Sequence, residues 1–383
     1  MTGTGAHTSR DEGGPDNHGP DNHGPDNHGP DNRPDTNRSD NNGPDTNRPD
    51  ASGRDVTQPA RLWRTGTATG VGSLPGEDVG EAARMVLDEL SIPYLPELPG
   101  RGWHADLAGR GAVLLADLHV DVQPTGWRIT PRASRQGRTA KDLLRRDLDA
   151  FQEAVGDTAP AVLKVQATGP WTLAAMLELH RGAKLLSDYG AVIDLAASLA
   201  EGLRLHVDDV RRRFPGTTVA LQLDEPMLPG VLEARIPTAS GFGTLRAPDP
   251  QVARERLRTV LAALEHREHT VIHCCAPRPP VSLLAEAGAI SVDLAMLDGR
   301  DDDALGVALE QGTGLLLGVL PTSGPLLTVA DVVRNVGQLR DRVGFTDVTM
   351  TPACGLAGSS WAHAKATTKR CVDAAAAVAE EEQ

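Results

Sequence analysis

A chain of 383 residues with 39% hydrophobic side chains can build one large domain or two small ones around a sizeable core. Its formal charge of −14 argues against nucleic acid or an anionic membrane as main partner, while leaving a small anionic substrate free to bind in a local pocket. No apolar run approaches the roughly 18–20 residues of a membrane helix and no apolar leader segment opens the chain, so a cytoplasmic protein is expected.

Residues 1–58 are low in complexity. The unit Gly-Pro-Asp-Asn-His recurs with His18, His23 and His28 in register and decays into Pro-Asp-Thr-Asn-Arg variants up to Arg54. Such residues break helix and strand and offer almost nothing to bury, so a disordered tail is expected, with weak metal binding by the three histidines as the alternative. From about Leu62 the pattern becomes globular, and residues 59–383 read as one folded domain. Strand-like runs fall at Ala68–Ser73, Ile92–Glu97, Ala161–Thr168, Thr218–Asp224, Thr270–Cys274, Ala289–Leu294, Gly314–Leu320 and Asp347–Thr351. Helical patterns lie between and after them, at Asp78–Leu90, Ala140–Val155, Leu185–Arg213, Pro250–His266, Asp301–Gln311, Val329–Val343 and Trp361–Glu380. This alternation predicts an α/β protein, a (β/α)8 TIM-type barrel, with a doubly wound sheet as the other arrangement. Gly126–Arg132 reads as an inserted hairpin, and the Pro- and Gly-rich stretch Pro226–Pro250 as a long loop at the barrel mouth.

The residues that can do chemistry gather at the C-terminal ends of these strands, where a barrel places its active site. In Ile272-His273-Cys274-Cys275 the strand period of two sends His273 and Cys275 to one side and Cys274 to the other. Imidazole and thiolate suit Zn2+, and further ligands must come from other strands. Cys354 in Pro352-Ala353-Cys354-Gly355-Leu356 is the natural third, and Asp293, in an apolar strand, a carboxylate fourth. A buried thiol and a self-satisfied histidine, or an aspartate paired with an arginine, are the plainer readings of the same residues. Asp224 and Glu225 close an apolar strand before Pro226; the pair suits a substrate ammonium, or else a strand-end cap beside a solvated acid. Gly72 and Ser73 form a turn before a helix, where backbone N–H groups and a hydroxyl bind carboxylates, or serve as an ordinary glycine turn. Cys371, among alanines on the last helix, has no assigned role.

Taken in order, these segments resemble the catalytic C-terminal barrel of cobalamin-independent methionine synthases. Thr168-Gly169-Pro170-Trp171-Thr172 adds a fifth matching element, and the resemblance runs from about Thr67 to the C-terminus. It implies Zn2+ held by His273, Cys275 and Cys354, with Asp293 where the family carries glutamate. It also implies homocysteine bound by Ser73 and Gly72 at its carboxylate and by the catalytic Asp224 at its amino group, with Glu97 as a further contact. The methyl donor implied is a folate or a methylated corrinoid protein. Two-barrel members carry an N-terminal domain that residues 1–58 cannot form, so the chain looks like the short, single-barrel members. Two other readings stay open: an alkyltransferase acting on another thiol, and a non-catalytic zinc- or homocysteine-binding protein.

Overall fold

The structure, a computed structural model, describes residues 62–381; the expected tail at 1–58 lies outside them. Among the described residues nine strands form: β1 Thr67–Ala68, β2 His119–Gln123, β3 Gly126–Thr130, β4 Val162–Thr168, β5 Thr218–Asp224, β6 Thr270–Cys274, β7 Ala289–Asp293, β8 Gly314–Leu320 and β9 Thr349–Pro352. The helices are α1 Val79–Glu89, α2 Leu107–Val113, α3 Arg135–Val155, α4 Pro170–Met176, α5 Tyr189–Arg213, α6 Leu228–Leu232, α7 Pro250–Leu261, α8 Val281–Leu284, α9 Asp302–Glu310, α10 Val329–Val343 and α11 Trp361–Glu381. Seven strands make one sheet in the order β1-β9-β8-β7-β6-β5-β4, every pair parallel, with helices in the crossovers. β2 and β3 pair antiparallel as a separate hairpin, so the expected insertion at Gly126 is real and its partner is His119–Gln123.

The segment expected as the second strand, Ile92–Glu97, is not a regular strand. It nonetheless bonds on both flanks. On one side Ile92 N donates to Ala68 O at 3.2 Å and Glu97 N to Gly72 O at 3.0 Å; on the other Leu95 N donates to Lys164 O at 3.0 Å and Lys164 N to Pro93 O at 2.9 Å. Pro93 and Pro96 lack the N–H groups that a continuous ladder requires, which is why pairing here is intermittent.

Side-chain alternation sorts the sheet into two faces. Leu163, Val165, Leu221, Leu223, Ile272, Cys274, Ile290, Val292, Leu315 and Leu317 belong to the large core packed with the helices. On the opposite face Ala220, Val271, Ala289 and Leu316 form a second, small cluster with Trp63 and Ile92. Above that apolar floor the same face turns polar, with Lys164, Gln166, Gln222, His273, Ser291, Thr349 and Thr351 all buried. Parallel register then lines up the upper row: Thr168 is opposite Asp224, Asp224 opposite His273, and His273 opposite Ser291.

Candidate metal centre and substrate pocket

Because all seven strands run the same way, their C-terminal ends share one edge of the sheet. A cleft with about 170 Å³ of free volume opens there, lined by Val71, Gly72, Ser73, Glu97, Asp224, His273, Cys275, Cys354 and their neighbours. Of the eight residues to which the resemblance gives a role, seven therefore line one cleft.

His273, Cys275 and Cys354 have ligand atoms that all lie within 4.8 Å of one another. The sulfurs of Cys275 and Cys354 stand 2.9 Å apart, well beyond the roughly 2.05 Å of a disulfide, and both cysteines are free thiols. His273 Nδ1 is engaged by Ser291 Oγ at 3.0 Å, while its buried Nε2 has no hydrogen-bond partner. Two thiols beside an unsatisfied imidazole nitrogen, its other nitrogen held by a hydroxyl, form a candidate metal site of nitrogen and sulfur donors. Within the pair, the hydrogen bond from Cys275 holds the Cys354 pKa down, and the same contact, with burial, pushes Cys275 up.

Asp293 stands apart from this group. It ends β7 half-buried, its Oδ1 accepts from Ala295 N at 2.9 Å to cap the following turn, and it lines a neighbouring cavity with Leu294, Gly318 and Ala353. It remains close enough for Cys354 and His273 to influence its charge, but burial is the main cause of its raised pKa.

Two carboxylates face the cleft. Asp224 is buried, and burial pushes its pKa up to about 6, opposed by His273 and Lys164; its Oδ1 accepts from Gln222 Nε2 at 2.7 Å. Glu97, also buried, is pushed up to about 7, opposed chiefly by Arg110, whose Nε lies 3.8 Å away. Glu225 has a different task. Its oxygens accept from Trp171 N at 2.9 Å, Thr172 N at 2.7 Å and Thr172 Oγ1 at 2.7 Å, capping α4. Of the adjacent acidic pair, then, only Asp224 is available to a substrate. The Gly72–Ser73 turn also lines the cleft. There Leu356 N donates to Ser73 O at 2.8 Å, and a Cβ on Gly355 would come within 2.0 Å of Ser73 Oγ, so a side chain there would force the hydroxyl to turn away.

The sequence reading passed over Lys164, Gln166, Gln222 and Ser291, which form the polar layer beneath the cleft. The signal was present as period-two polarity inside apolar strands: Lys164, Gln166 and Thr168 on β4, Gln222 and Asp224 on β5. Lys164 Nζ donates to Val71 O at 3.1 Å and Gln222 Oε1 at 2.9 Å, and burial lowers its pKa to about 8 against the pull of Asp224 and Glu97.

Residues 65–377 match the family described as cobalamin-independent synthase, catalytic domain. No curated protein matches the chain. Among solved structures, a B12-independent methionine synthase from Shewanella sp. W3-18-1, in complex with selenomethionine, superposes with a TM-score of 0.54 at 13% identity, covering 83% of this chain and 98% of that one. A protein from Listeria monocytogenes assigned as a vitamin-B12-independent methionine synthase gives 0.50 at 16% identity, covering 81% of this chain and 96% of that one. At these identities the structures speak for the fold.

Proposed function

We propose a reaction for this chain, which belongs to the family of cobalamin-independent synthase catalytic domains: methyl transfer to the thiol of homocysteine at a zinc centre, giving methionine. The observation that carries the reading is the convergence of His273, Cys275 and Cys354 on one point, in a cleft that also holds Ser73, Glu97 and Asp224. The parallel sheet together with Ile92–Glu97, bonded on both flanks, is read as the eight staves of a (β/α)8 barrel.

A free thiol has a pKa near 8.5 and is mostly protonated at neutral pH. Zinc held by His273 Nε2, Cys275 and Cys354 would supply a positive charge that favours the thiolate of the substrate. Asp293, whose Oδ1 caps the following turn, lies outside this group of ligand atoms. Asp224 and Glu97 receive the ammonium of homocysteine, and the Gly72–Ser73 turn receives its carboxylate. Held by both charged groups on its α-carbon, the amino acid directs its side chain toward the cysteines, and this fixed placement lowers the entropic part of the barrier. The sulfur forms the new S–CH3 bond as the methyl group's bond to its donor breaks, and the electron pair leaves with the donor. That donor is a methylated folate or a methylated corrinoid protein.

The test is turnover. Purified, zinc-loaded protein is assayed for methionine with homocysteine and each donor in parallel. Methionine with one of them supports the reading. Bound zinc and homocysteine without product from either donor would favour a non-catalytic binding protein, and equal use of thiols lacking the amino acid would favour a different substrate.

A further inference from the structure

Lys164 lies in the middle of β4 and is fully buried, yet it makes no ion pair among the described residues. A buried ammonium is costly unless each N–H is engaged. Here Nζ donates to Val71 O at 3.1 Å and to Gln222 Oε1 at 2.9 Å, and lies 5.2 Å from the centre of the Tyr94 ring. Lysine has only donors, so Gln222 must turn its oxygen toward Lys164. The Gln222 amide nitrogen is thereby aimed the other way, donating to Val71 O at 2.8 Å and to Asp224 Oδ1 at 2.7 Å. Val71 is the residue before Gly72 and Ser73. One cation thus reaches both recognition arms: the ammonium acceptor through Gln222, and the carboxylate-binding turn through the Val71 carbonyl.

We propose that Lys164 is a positioning residue for amino-acid recognition, locking the Gln222 amide and the Val71 carbonyl so that Asp224 and the Gly72–Ser73 turn stand at the separation an α-amino acid requires. This rests on the reading of the substrate as an amino-acid thiol. Without the lysine the Gln222 amide is free to flip and present its oxygen to Asp224, which turns the acceptor away from the cleft. Neither the metal ligands nor the thiol end of the substrate depends on this relay.

The experiment is calorimetric titration of the zinc-loaded full chain with L-homocysteine and with 1-propanethiol, which has neither charged group. Lys164→Met, Gln222→Leu and the double variant are compared with the unaltered protein. Lys164→Met is expected to weaken homocysteine binding about 30-fold or more, while propanethiol binding stays within about twofold and zinc content is unchanged. The double variant is expected to be no worse than the worse single one, because both changes break the same relay. Should Lys164→Met fail to fold, Gln222→Glu keeps a partner for the lysine but replaces the donor facing Asp224 with an acceptor, and the same selective loss is expected. Undiminished homocysteine binding in a folded variant, equal loss of both thiols, loss of zinc, or additive effects in the double variant would each overturn the proposal. Unaltered protein that binds no homocysteine would overturn the functional reading, and this inference with it.

Discussion

The chemistry rests on a few side chains, and each has its own expected signature. Replacing His273 with Ala, or Cys275 or Cys354 with Ser, should remove most bound zinc as measured by atomic emission, because the other two ligands cannot hold the ion alone. Asp224→Asn keeps the shape and removes the charge. Zinc should stay, while kcat/KM for homocysteine falls roughly 10²-fold, about 3 kcal/mol, and a thiol without an amino group is much less affected. Equal loss on both thiols would make Asp224 structural. The same carboxylates predict a pH dependence. Burial raises Glu97 to about 7 and Asp224 to about 6, so both are ionised above those values and take up protons as pH falls through them. Homocysteine affinity should therefore drop from pH 8 to pH 5.5 more steeply than that of an uncharged thiol, whose own proton release is common to both. Parallel profiles for the two thiols would contradict this. At this scale the sequence was highly legible wherever a rare residue ended a strand, as with His273, Cys275, Cys354 and Asp224. It was less so for Asp293, because spacing along one strand does not say whether a carboxylate turns inward or caps the next turn, as its bond to Ala295 N does.

Among the elements, α10 runs Val329–Val343 as expected and α1 and α9 fall within a residue of their patterns, whereas α3 begins at Arg135, ahead of the expected Ala140, and α7 ends at Leu261, short of the expected His266. Short ones such as α4 and α8 were missed, since four to seven residues carry too little periodicity and depend on tertiary contacts. The expected helix from Leu185 is interrupted at Asp188, whose side chain accepts from Gly190 N and Ala191 N and starts α5 afresh at Tyr189. Likewise Pro93 and Pro96 explain why Ile92–Glu97 pairs without forming a regular strand. α4 owes its start to Glu225, which belongs to a different crossover and sits so close over Gly169 that a Cβ there would meet Oε1 at 2.4 Å. Glu225→Ala leaves two buried backbone N–H groups and a hydroxyl without an acceptor. Chemical denaturation should show a loss of roughly 2–4 kcal/mol, with zinc content of the folded fraction unchanged. A loss below about 0.5 kcal/mol would mean that water or a rearranged turn replaces the cap.

For the whole molecule, the family match at 65–377 falls within the globular part of the sequence pattern. Residues 1–58 hold no apolar cluster to contribute to either core, so a chain starting at residue 59 should keep its melting temperature within about 2 °C and its turnover within about twofold. A large loss in either would assign the tail a role in the domain. The parallel α/β class was legible because apolar strands and amphipathic helices alternate. The polar layer inside the sheet was not, because a buried Lys164 or Gln222 looks in sequence like an interruption of a strand rather than a support for a site. All of these parts converge on one claim, that a substrate thiol joins a metal held by one histidine and two cysteines. Zinc K-edge X-ray absorption of the loaded protein, before and after adding L-homocysteine, tests it most directly. The account predicts two sulfur ligands rising to three, with one oxygen lost and the imidazole kept. An unchanged coordination shell at saturating homocysteine would contradict it.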